Sequence, residues 1–172
     1  MKNKQSNMLS STSTEVAQDL QVIADGLLED IFKIIRRMPA EALNWTPPQM
    51  NNSPYVLVNH LLGSAGYWIG DVVGGIASDR VRANEFGAQG THEDLEKLLA
   101  DTRDKINLTL ERVSEKDLLP RPIDLSHGVL CWGDVPPEGR TSVWVIVHDL
   151  CHIAYTYGQL ERISKLWDIQ HA

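Results

Sequence analysis

His148 and His152 are the residues of this chain whose type and spacing most directly suggest chemistry. They stand four apart in TSVWVIVHDLCHIAYTYGQLERISKLW, residues 141–167, a stretch that reads as one long helix. Four residues on a helix are about 400°, so the second imidazole lies about 40° round from the first and one turn along. Two imidazoles stacked in this way can reach one divalent cation, which is why H-x-x-x-H recurs in metal sites. Tyr155 and Gln159 continue the stripe at i+7 and i+11. The alternative is a helix that buries two neutral, hydrogen-bonded histidines. An isolated pair needs a third ligand before it denotes a metal.

A second set of polar residues lies in PYVLVNHLLGSAGYWIGDVVGGIA, where His60 shares a helical stripe with Ser64, Tyr67 and Asp71. Asp71 stands eleven residues beyond His60, about 16 Å along a helix, too far to meet the same ion. Asp149 is rotated about 100° from His148 and is not expected to ligate from that turn. Cys151 reads as a small core residue.

Four helices must position these groups. The first is expected over Ser13–Met38, with Thr12 and Glu15 at capping-box spacing and Val16, Leu20, Ile23, Leu27, Ile31, Ile34 and Met38 as its apolar stripe. Pro39 stops it. A Pro- and Asn-rich loop follows, anchored by Leu43 and Trp45. Ser53-Pro54 then signals an N-cap and a first helical position, opening a helix over Pro54–Ala77. Gly66, Gly70 and Gly74 form a row in it. Each glycine costs a helix roughly 1 kcal/mol against alanine, so another backbone is expected to pass close, either in the same bundle or in a partner subunit.

Residues 78–90 read as a polar crossover loop. The third helix starts at Thr91, with a Thr91–Asp94 capping box, and places His92 on the exposed side of its first turn. Residues 120–140, PRPIDLSHGVLCWGDVPPEGR, form a long loop carrying His127, Cys131 and Trp132. It packs as an ordinary loop or serves as a lid over the site, since loops of this length in compact domains are usually functional or mobile.

Composition sets the bounds. The chain has 172 residues, 42% hydrophobic and 23% charged, as in an ordinary globular domain. We expect a polar tail over 1–13 and one domain over 14–172. A net charge of -7 and a pI near 5.3 argue against nucleic-acid binding. Cys131 and Cys151 give no disulfide framework, and residues 1–14 lack the apolar core of a signal peptide, so a cytoplasmic protein is expected. The 54–77 segment carries Asn59, His60 and Asp71 among its glycines, which suits a buried core helix rather than a membrane span.

With ALNWTPP in the first connection, VNHLL around His60 and HDLCHIAYTYGQL in the last helix, the chain resembles the DinB superfamily over residues 14–167. The resemblance implies a four-helix bundle with a long connection between helices 2 and 3; with the loops read above, the expected fold is an all-α, four-helix bundle with long loops after helices 1, 2 and 3. It implies one divalent metal, zinc or nickel, held by His60, His148 and His152, and a homodimer. Some relatives are thiol-dependent transferases or isomerases that use mycothiol, bacillithiol or glutathione, and many have no assigned reaction. The long 120–140 loop departs from the simpler members, so no substrate carries over. The DNA-damage association in the family name describes regulation and does not imply DNA binding.

Three neutral imidazoles would leave the cation its full charge and an open position, the pattern of catalytic rather than structural zinc. Such an ion can generate a hydroxide or thiolate near neutral pH. Tyr155 and Gln159 are then candidates for orienting a small-molecule substrate, against core packing for the first and a buried hydrogen bond for the second. Two classes of function follow: a metal-dependent enzyme, either thiol S-transferase or hydrolase, and a non-catalytic dimeric binding or scaffold bundle.

Overall fold

The computed structural model describes residues 2–123 and 135–172. His127, Cys131 and Trp132 lie outside the described residues. Four long helices carry the fold: α1 (Lys2–Arg37), α3 (Pro54–Ala65), α4 (His92–Leu110) and α5 (Ser142–His171), with the short α2 (Ala40–Leu43) in the first connection. The helix α1 begins at Lys2 rather than Ser13, so the stretch read as a loose tail is helical and the start expected at Thr12 lies inside it. No proline or glycine precedes Gly26, so nothing in the backbone halts the helical hydrogen bonds on that side.

Termini elsewhere follow local chemistry. Ser53 accepts from the Val56 N–H and Pro54 sits at the first position of α3. Thr91 and Asp94 exchange both capping bonds at the start of α4, and Thr141 accepts from the Trp144 N–H at the start of α5. The expected helix over 54–77 is not uniform: past Ala65 it widens into a π-helical stretch, Gly66–Val73. Arg121 donates to the carbonyls of Val72 and Val73, satisfying two groups freed where the helix ends.

The helices form a closed ring in which α1 packs on α4 and α5, and α3 packs on the same two. Paired contacts give their directions. Gln21–Asn107 and Arg36–Glu96 make α1 and α4 antiparallel. His60–His152 and Ser64–Asp149 make α3 and α5 antiparallel. Leu62–Thr102 together with Gly70 against Lys105 makes α3 and α4 parallel. Parallel neighbours need a long crossover, and residues 74–91 supply it.

The main core draws Leu28 and Phe32 from α1, Leu61 and Leu62 from α3, Leu99 and Ile106 from α4, and Ile153 and Leu160 from α5. On α1, Ala24 and Leu28 take the core places while Ile23 is exposed, a stripe turned slightly from the one expected. A smaller cluster of Tyr67, Trp68 and Val145, joined by Ile123 and Trp144, lies where the long loop meets the bundle. The described ends of that loop are pinned by the Arg121–Arg140 bridge, with Gly139 at φ 85° against the Arg121 carbonyl, where a side chain has no room. Among the described residues, no helix is long and apolar enough to cross a membrane.

Candidate functional site

The α3–α5 seam brings His60 and His152 together, ring centroids 5.4 Å apart at 67°. They come from antiparallel helices, so only the tertiary fold sets their meeting. Each histidine has a carboxylate near its Nδ1. His60 Nδ1 lies 2.6 Å from Glu85 Oε2. His152 Nδ1 lies 4.0 Å from Asp149 Oδ1, beyond hydrogen-bond range.

Glu85 ends a 3-10 turn, Arg82–Glu85, inside the crossover that read as a polar loop. Arg80 grips it with two bonds, Nε to Oε1 at 2.6 Å and a terminal nitrogen to Oε2 at 3.0 Å. Burial pushes the Glu85 carboxyl up, but the hydrogen bonds from His60 and Arg80, with the charge of Arg80, outweigh burial and hold it below the usual carboxylate range. An ionised Glu85 only accepts, so the proton on His60 belongs on Nδ1 and the Nε2 lone pair is left bare. Phe86 packs on the same imidazole with centroids 4.9 Å apart, and Gly63 leaves the space Glu85 Oε1 fills, where a Cβ would collide.

Asp149 is fully buried (0% exposed). Its Oδ1 accepts from Ser64 Oγ at 3.0 Å, while Oδ2 is buried with no hydrogen-bond partner among the described residues. A buried, unmatched carboxylate oxygen is costly and calls for a donor. The imidazole of His152 stands beside this carboxylate without bonding it, its Nδ1 4.0 Å from Oδ1. Ser64 shares its helical stripe with His60, as the sequence indicates; the role of Asp149 was not legible, because a residue one step from His148 on a helix points elsewhere.

His148 is 8% exposed and lies one turn before His152 on α5. Its ring stacks on Trp144, centroids 5.3 Å apart at 24°, and meets Trp68 edge-on at 6.3 Å. Among the described residues, no three His, Cys, Asp or Glu side chains stand together as a set for one metal ion. The donor chemistry fits a divalent ion at His60 and His152, whose Nδ1 sides face carboxylates and whose Nε2 atoms remain to ligate.

Other expectations changed in three dimensions. Tyr155 is 60% exposed, which removes core packing as its role, and Gln159 is half-buried on the same face. Cys151 is exposed rather than packed in the core, because the buried face of α5 runs through Leu150 and Ile153. His92 is half-buried, not exposed: its Nε2 lies 3.0 Å from the carbonyl of Ile35. Asp71 accepts from the N–H and hydroxyl of Ser78.

The family model of the DinB superfamily matches residues 25–155, more than half of the chain. The chain belongs to the DinB superfamily. No curated protein and no solved structure matches it significantly. The DinB match spans His60, Glu85, His148, Asp149 and His152, and ends before Gln159 and Arg162.

Proposed function

We propose that this DinB protein is a divalent-metal-dependent enzyme whose ion is held by His60 and His152, with His148 as third ligand. The observation that carries the reading is the cross-helix imidazole pair, each Nδ1 facing a carboxylate. Carboxylate-backed imidazoles are the usual second layer of metal sites. When bound, a zinc or nickel ion there supplies a Lewis acid able to favour the thiolate form of a small thiol, or hydroxide from water.

The chain's own groups do the rest. Glu85 keeps the His60 proton on Nδ1, Arg80 keeps Glu85 ionised, and Ser64 steadies Asp149 beside His152. Phe86 packs on the His60 ring, and Trp144 and Trp68 pack on His148. Thiol-dependent S-transfer to an electrophilic small molecule is the reaction we favour, with hydrolysis as the alternative within the same class. Cytoplasmic location and homodimer assembly belong to the same proposal.

A non-catalytic binding bundle draws on the stacking of His148 against Trp144. Elemental analysis of untagged protein and of a His148→Ala/His152→Ala variant separates the two. About one zinc or nickel per chain, lost in a still-helical variant, is the expected result. Thiol-dependent loss of an electrophile, abolished by chelator, would then establish the enzyme. A parent chain that takes up neither Zn²⁺ nor Ni²⁺ overturns the metal reading.

A further inference from the structure

Past His152 the same face of α5 continues through Gln159, Arg162, Leu166 and Gln170, steps of three and four. These residues form one wall of a cleft of about 520 Å³, closed on the other side by the loop after α2 and by Leu57 of α3. That is the size range of small-molecule pockets. The loop wall is stiff. Pro47 and Pro48 fix their own φ angles, the Met50 N–H donates to the Pro47 carbonyl at 2.9 Å, and Trp45 stands edge-on to Trp167 with centroids 5.4 Å apart.

The chemistry of the lining is lopsided. Trp45, Met50, Leu57 and Leu166 are apolar, while Gln159, Gln170 and Asn51 bring neutral amides. Arg162 is the one charged residue among the described residues of the lining, and it has no carboxylate partner among them. The neighbouring Glu161 is engaged instead with Arg37 and Lys165. On a chain of net charge -7 this is a local reversal of sign. Exposed charges act over roughly 10 Å in ordinary salt, so the near guanidinium rather than the distant excess of acids decides what binds.

We propose that this cleft binds a small organic monoanion, a carboxylate carried on an aryl or alkyl body. The carboxylate pairs with the planar fork of Arg162, with amide N–H groups in support, and the body lies along Trp45 and Leu166. A single guanidinium balances a single negative charge; a dianion would leave one charge unmatched beside neutral amides. An uncharged ligand would bury the apolar wall but gain nothing from Arg162. The site is separate from the imidazole pair: Gln159 lies seven residues beyond His152, about 10 Å along the helix, and the α5 wall falls outside the DinB match. The inference stands whether or not the histidines hold a metal.

The test is a titration of the ¹⁵N-labelled full chain with 3-phenylpropanoate, and with 3-phenylpropan-1-ol as the uncharged counterpart. The readouts are the Trp45 indole N–H and the side-chain amides of Gln159 and Gln170. Saturable shifts at these groups are expected, with the acid bound about tenfold more tightly than the alcohol. Arg162→Gln should bring the acid down to the alcohol's affinity and leave the alcohol unchanged. Arg162 is exposed, so the variant should fold, and Arg162→Lys, which keeps charge but not the fork, provides a second reading with an intermediate loss. Shifts that never saturate, or equal binding of the acid by the parent and Arg162→Gln, overturn the proposal.

Discussion

Glu85 illustrates how a residue acquires a role from its partners. Its carboxylate accepts from His60 and is clamped by Arg80, whose side chain is 6% exposed. Glu85→Gln keeps the shape but leaves that guanidinium without its counter-charge, a loss that costs buried pairs about 3 kcal/mol or more. We expect a lower urea midpoint and, below it, zinc affinity reduced about 10–100-fold by calorimetry, as for other lost partners of ligating histidines. Unchanged affinity would show that Glu85 supports the crossover and not the imidazole. The His148/His152 spacing was legible because four residues on a helix always share a face. Glu85 was not, because nothing local links it to a histidine 25 positions earlier.

At the scale of the element, the glycine row of α3 and its π-helical extension separates into different cases. A Cβ on Gly74 would collide with Thr109 Oγ1 and come within 2.7 Å of the Gly70 carbonyl oxygen, and one on Gly70 would sit 3.3 Å from Lys105 Cβ. The close neighbour is therefore α4 of the same chain, and the row requires no partner subunit. At Gly66 a Cβ meets nothing within 4 Å. Gly74→Ala should lower stability by about 1–3 kcal/mol through overpacking, whereas Gly66→Ala should hold or raise it by up to about 1 kcal/mol through helix propensity. Paired thermal melts check both, and a destabilised Gly66→Ala would contradict this account.

The α4 cap gives a pH signature. The Thr91 backbone N–H, then its hydroxyl, bond Asp94 and hold its carboxyl below the usual range. A carboxyl depressed in the folded state stabilises fully above its unfolded pKa, and that contribution is lost as pH falls through the folded value. The parent should melt above Asp94→Ala at neutral pH, with the gap closing below about pH 4. A gap that persists in acid would place the effect in packing rather than charge.

At the scale of the whole molecule, α1 and α4 are antiparallel while α3 and α4 are parallel, an order that requires the crossover carrying Glu85. The core that holds this order together is continuous across all four helices. Phe32, fully buried in it, should cost about 3–5 kcal/mol when replaced by alanine, read from a urea midpoint with unchanged slope; a loss near zero would mean that the core closes over the gap. By itself the sequence determined the four long helices, three of the helix starts and the shared face of His148 and His152, all set by neighbours within four residues. The tertiary structure alone decided that His60 meets His152, that Glu85 and Asp149 stand behind them, and that Arg162 faces an apolar wall. Those meetings join residues far apart in the chain, and their register depends on the packing of whole helices.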